Sequence, residues 1–233
     1  MKRFLNGVAL AIALTLPTFL LPMQAQSPPI LLSQNVNFKP PDVRYPDNRR
    51  RQKPRCSACP SDLYIIPLMP PTNIGLTVAQ SPTVFAYVSP NSTEVEFTLF
   101  IENNDAVYKK TFKIDKPGIV EVSIPDTIEV GKRYQWSFLT VCNSDEHSGD
   151  YYLKGFVQRI EPKETLKKAL ANPDPMARAI AYAKNGIWYD TLTTLAQMRR
   201  KAPDDPMLKA EWTQLLQSQK LESVADKPLV QSF

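Results

Sequence analysis

Apolar and polar residues alternate along much of residues 83–160, and that period of two predicts β-strands. The first segments are TVFAYVS (83–89) and EVEFTLFI (94–101), where Val95, Phe97, Leu99 and Ile101 share one face. Asn103-Asn104 tolerates the positive φ of a tight hairpin turn. The expected return strand, AVYKKTFKI (106–114), sets Tyr108, Phe112 and Ile114 on one side and lysines largely opposite. Pro117-Gly118 suits the centre of a type II turn before IVEVSIP (119–125), in which Val120, Val122 and Ile124 align. RYQWSFLTVC (133–142) places Tyr134, Trp136, Phe138, Thr140 and Cys142 on a single face. NSDEHSGD (143–150) reads as a polar hairpin loop, and YYLKGFVQRI (151–160) closes the set. Upstream, LYIIPL (63–68) reads as an edge strand, because Pro67 cannot donate to a ladder. Seven short strands at this spacing predict an antiparallel, immunoglobulin-like β-sandwich over residues 61–161.

Past Pro162 the period becomes helical, and residues 162–222 form an α-helical appendage to a mainly β chain. A short helix is expected over 163–171. Asp174 is the N-cap of the next helix and Pro175 its first residue, with Gly186 as a left-handed stop. Trp188, Leu192, Leu195 and Met198 then recur every three or four residues. Asp205-Pro206 repeats the start signal before Leu208, Trp212, Leu215 and Leu216. The tripeptide DPM recurs 31 residues apart, close to the tetratricopeptide period, so TPR-like helical hairpins docked on the sandwich are expected. Trp188, Tyr189 and Trp212 are read as that packing contact rather than as a ligand cage. Residues 223–233 read as a flexible tail.

The ends carry the composition's extremes. Residues 1–25 have Lys2 and Arg3, an apolar run from Val8 to Leu16, a Pro17 break and a small Ala25, the outline of a secretory signal peptide. An uncleaved anchor is the alternative, and Asn6, Thr15 and Pro17 oppose it. The membrane is thus expected to be met only transiently, through this peptide. Residues 26–60 are rich in proline and poor in large apolar residues, and read as a disordered linker. Removing Lys2 and Arg3 takes the net charge from +5 to +3, and the remaining excess is largely local to that linker. Arg44, Arg49, Arg50, Arg51, Lys53 and Arg55 there form a candidate anion-binding cluster for an anionic polymer or lipid. No aromatic interleaves them for base stacking, so nucleic acid is not expected as a partner.

Three cysteines invite three readings. Cys56, Cys59, Cys142 and His147 make a formal zinc set. Zinc needs thiolates, whereas an exported chain meets an oxidising compartment. A thioredoxin-like centre would place the first cysteine at a helix N-terminus in a βαβ unit, but Cys59-Pro60 leads into a strand. The favoured reading is a disulfide, Cys56 with Cys142, or alternatively Cys59 with Cys142. Closing a loop of some 85 residues would stabilise by about 4 kcal/mol, less any strain. His147, the single histidine, lies in the acidic 143–150 loop and reads as an exposed turn residue. No GxGxxG, P-loop, GxSxG or HExxH motif occurs, and no cofactor or metal is expected.

Several segments together resemble a cyanobacterial family of secreted proteins, the domain of unknown function DUF928. They are PTNIGLT (71–77), SPTVFAYV (81–88), EFTLFIENNDAVYKKTF (96–112), GKRYQWSFLTVCN (131–143), GFVQRIE (155–161), NGIWYDTLTTLAQMRR (185–200) and EWTQLLQS (211–218). Members usually carry a glycine-rich stretch ending in one cysteine; RRQKPRCSAC (50–59) stands in its place here. The resemblance implies export and this architecture, with no established activity. The expected function is an exported, non-enzymatic binding or scaffolding module of the bacterial cell envelope, periplasmic or extracellular, with an envelope protein as partner. The alternatives are an envelope glycan or peptide hydrolase, and anionic polymer or lipid binding through the basic linker.

Overall fold

The structure, a computed structural model, describes residues 36–42, 63–89, 93–101, 105–125, 128–141 and 151–233. Cys56, Cys59, Cys142, His147, the basic cluster from Arg44 to Arg55 and residues 1–25 all lie outside the described residues.

The described chain is mainly β, with nine strands and four helices. The strands are β1 (Tyr64–Pro67), β2 (Ile74–Thr77), β3 (Thr83–Ser89), β4 (Thr93–Phe100), β5 (Ala106–Ile114), β6 (Gly118–Ser123), β7 (Arg133–Val141), β8 (Tyr151–Arg159) and β9 (Leu229–Ser232). They build a four-stranded sheet ordered β1-β3-β6-β9 and a five-stranded sheet ordered β2-β8-β7-β4-β5. Every strand expected from alternation is present, and Pro67 lies on an edge strand that pairs only with β3.

Two corrections follow from strands the alternation did not predict. The sheets are mixed rather than antiparallel, because β2 runs parallel to β8 and β6 parallel to β9. Hairpins produce antiparallel neighbours, but each of these pairs is joined through many intervening elements, which leaves direction unconstrained by a turn. Residues 229–232, expected in a flexible tail, form β9 instead. Phe233 donates its backbone N–H to Glu121 (2.8 Å), and its ring stacks on Phe112 at 4.1 Å.

The facing sides of both sheets contribute to one hydrophobic core, with Val84, Ala86, Val120 and Val122 from one sheet and Val95, Phe97, Trp136, Phe138 and Val157 from the other. The helices are α1 (Glu164–Leu170), α2 (Pro175–Lys184), α3 (Trp188–Lys201) and α4 (Pro206–Ser218). Asp174 and Asp205 cap α2 and α4 as expected, each accepting bonds from two backbone N–H groups, with proline at the first helical position. The helices cover the second face of the four-stranded sheet: Phe85 meets Trp212 edge-on and Glu121 pairs with Arg200. This explains why β3 is buried along both faces. Trp188, Tyr189 and Trp212 are fully buried, so the aromatics serve as packing contacts.

The linker reading also needs adjusting at one place. Val36 and Phe38 are buried, Val36 donates its N–H to Glu211 (3.0 Å), and Lys39 donates to the Ala183 carbonyl (3.1 Å). Residues 36–39 are therefore pinned to the helices despite the surrounding prolines.

Room for the central aromatics comes from glycine. Gly155 faces Trp136 across the β7–β8 ladder, and a Cβ at Gly155 would collide with the Trp136 ring. Because that ring is walled in by Phe138 and Tyr189, it has little room to retreat. We expect Gly155→Ala to lower the unfolding free energy by about 3 kcal/mol, the upper range for an overpacked core, as read by urea denaturation.

Candidate binding cleft beside Asp190

The sequence IWYDTLTT (187–194) opens α3 with two aromatics, an acid and three hydroxyls within two turns. All of the first five residues of this helix are buried, because its N-terminal turn wedges against β2. Trp188 donates its indole N–H to the Leu68 carbonyl (2.8 Å) and meets Phe38 edge-on at 4.8 Å. The Tyr189 hydroxyl accepts from the Trp136 indole (2.6 Å) and donates to the Phe156 carbonyl (2.9 Å). Its ring fills the space a side chain on Gly75 would need. Burial pushes the Tyr189 hydroxyl far above its ordinary range, so it stays protonated and serves as a structural donor.

Asp190 comes next and is 8% exposed. Its Oδ2 accepts from the Thr77 hydroxyl (2.7 Å) and from the Val78 backbone N–H (3.2 Å). The Thr77 oxygen in turn accepts from the Ala79 N–H (3.0 Å), so the end of β2 is closed around one carboxylate. Desolvation pushes the Asp190 carboxyl up to about 6, although the bonds it accepts from Thr77 and the backbone pull the other way. Burial wins that contest.

A cleft of about 150 Å³ opens over this carboxylate, between the β2–β3 connection and helices α2 and α3. Ser81, Thr83, Tyr182, Thr193 and Thr194 line it with hydroxyls. The Thr194 hydroxyl is engaged, donating to the Asp190 carbonyl at 2.6 Å. The cleft has Asp190 as the one acid among the described residues that line it. What it offers chemically is hydrogen bonding to a small polar ligand beside a buried, titratable group. Among the described residues no group of three or more His, Cys, Asp or Glu stands close enough to hold a metal ion.

Of the residues singled out from sequence, Tyr189 lines this cleft. The cysteines and the basic cluster lie outside the described residues, and Asp190 and Thr77 were not anticipated. The available signal was a lone acid set between the buried aromatics and the hydroxyl run DTLTT.

The raised carboxyl gives a pH signature with a definite sign. The folded state holds the Asp190 proton up to about pH 6, whereas an unfolded aspartate releases it near its ordinary 3.8. Between those values the folded state binds more protons, so this group's contribution to stability falls as pH rises and is largest below the lower value. The loss across that window is about 3 kcal/mol. Chemical denaturation from pH 3.5 to 7.5 should show that fall in the native chain and its absence in Asp190→Asn, the difference between the two profiles isolating this carboxyl.

Comparison with solved structures returns a Parabacteroides merdae beta-glucuronidase with glycerol in its active site (11% identity, TM-score 0.25, covering 47% of this chain and 12% of that one). It also returns a Bacteroides cellulosilyticus DSM 14838 glycosyl hydrolase family 2 member (11% identity, TM-score 0.26, covering 68% and 34%). The chain spans only a small part of those enzymes, and likenesses at these scores carry no argument about activity. No curated protein matches. The sequence does match the Domain of Unknown Function (DUF928) profile over residues 47–229, nearly the whole described body. The chain is therefore a member of the DUF928 family.

Proposed function

We propose that this chain is an exported, non-enzymatic binding or scaffolding module of the bacterial cell envelope. The observation that carries the reading is the use made of Asp190. Asp190, the one acid among the described residues lining the hydroxyl-lined cleft, has Oδ2 bonded to Thr77 and Val78 and so fastens the chain to itself, leaving the rim to make contacts. A carboxylate held by two donors in this way orders the surface around it. The two sheets around a common core are read as an immunoglobulin-like sandwich, and the paired helices as TPR-like hairpins, both architectures that present loops and helix faces to partners. The signal-peptide outline of residues 1–25 supports export, and a Cys56–Cys142 or Cys59–Cys142 bond suits an oxidising compartment.

Two measurements test this reading in the full chain. Fractionation of a bacterial host with an outer membrane should find the protein outside the cytoplasm with its N-terminus trimmed near Gln26; cytoplasmic, untrimmed protein contradicts export. A photo-crosslinking residue at Thr193 should yield one discrete adduct in cells, abolished by Ser81→Trp, which fills the cleft. No adduct, or one indifferent to Ser81→Trp, contradicts binding at this site.

A further inference from the structure

A second cleft, of about 400 Å³, lies at the other end of α3, where Arg199, Arg200, Pro203, Pro228 and Leu229 surround it. Its chemistry differs from that beside Asp190. Arg200 is answered by an acid: its Nε donates to Glu121 Oε1 (2.8 Å), and its Nη2 reaches the same oxygen. Arg199 has no acid partner among the described residues. Its guanidinium carbon lies 5.0 Å from the centre of the Trp212 ring, and its Nη1 is buried without a hydrogen-bond partner among the described residues. The Trp212 indole N–H is likewise buried and without a hydrogen-bond partner among the described residues.

Basic residues at a helix C-terminus are commonplace, since they complement the negative end of the dipole. That role is served by an exposed side chain and gives no reason to desolvate one. A guanidinium does not escape the cost of burial by losing its proton, because it remains charged at any ordinary pH. A half-buried cation set over an indole, with no acid beside it among the described residues, is therefore held short of the counter-charge its setting calls for. Among the lining residues and their ion-pair partner, two guanidiniums stand against one carboxylate. The remaining lining is apolar: two prolines and a leucine. The volume is far more than a bare ion needs and falls within the range of small-molecule sites.

We propose that this cleft binds a small amphipathic organic anion, its carboxylate or phosphate head held by Arg199 and Arg200 and its apolar body against Pro203, Pro228 and Leu229. The planar fork of arginine matches the oxygen spacing of both head groups, and the Trp212 ring, 5.0 Å from the guanidinium carbon, holds Arg199 in place beside the cleft. The site is distinct from the cleft beside Asp190 and does not depend on the reading given to that one.

The test is titration calorimetry and thermal denaturation of the full chain with four probes: hexanoate, hexyl phosphate, inorganic phosphate and hexanol. One or both hexyl anions should bind saturably and raise Tm, with hexanol inert and the affinity falling as salt rises; which anion is tighter identifies the head group. Arg199→Met keeps the stem on Trp212 and removes the charge, so it should lose at least tenfold in affinity with Tm unchanged or raised. Arg199→Lys, which keeps charge but not the fork, should lose affinity by a smaller factor. The proposal is overturned if neither hexyl anion binds, if hexanol binds equally, or if inorganic phosphate matches hexyl phosphate. A Met variant that keeps its affinity, or one that is markedly destabilised, overturns it as well, the latter by marking Arg199 as structural.

Discussion

The Tyr189 hydroxyl is where the helices and the sheets are made into one body. It accepts a hydrogen bond from the Trp136 indole N–H on β7, donates one to the Phe156 carbonyl on β8, and lies against Met69 beyond β1. Four residues of different ancestry along the chain thus meet at a single oxygen in a site closed to water. A buried polar group left unpartnered there would cost about 1–3 kcal/mol, so every member is held to its position by the others. Gly75 and Gly155 are the complement of this arrangement, since the space their side chains would take is occupied by Tyr189 and Trp136.

Once Tyr189 is fixed, the rest of α3 has little freedom. Trp188 is drawn to the Leu68 carbonyl and Asp190 to the end of β2, so the N-terminal turn is held by three consecutive side chains. From there the helix runs to Arg200, which meets Glu121 on β6. Each end of α3 borders a cleft, and the two clefts have opposite electrostatic character: a buried carboxyl at one, an unanswered guanidinium at the other. The pair of sites is therefore a consequence of docking one amphipathic helix on a sheet, with its apolar stripe of Leu192 and Leu195 in between.

Much of this was legible in the sequence, for identifiable reasons. Strands β4, β5, β7 and β8 announce themselves by alternation, because one side faces a core and the other does not, whereas β3 is buried on both faces and stands out as a short apolar run. The caps at Asp174 and Asp205 are equally plain, since an acid before proline has few other uses. What escaped depends on partners far away in the chain. Strands β2 and β9 are four residues each, too short to show a period, and both enter their sheets in parallel with distant strands. Val36 and Phe38 look like stray apolar residues in a proline-rich stretch until Glu211 and Ala183 are brought beside them. Nothing local to Asp190 and Arg199 marks them out, and only the fold reveals that one is buried against β2 and the other set over the Trp212 ring. The cysteine pairing stays where the sequence left it, as a choice between Cys56 and Cys59 for Cys142.

The central claim is that helix α3 and the strands it touches stand or fall together through Tyr189. Native-state hydrogen exchange measures this most directly, because it reports the opening free energy of each backbone amide separately. The account predicts that the amides of α3 exchange with the same free energy, and the same dependence on denaturant, as those of β7 and β8. If α2, α3 and α4 instead open as a unit of their own at lower free energy while β7 and β8 stay protected, the helices are an appendage after all and the account is wrong.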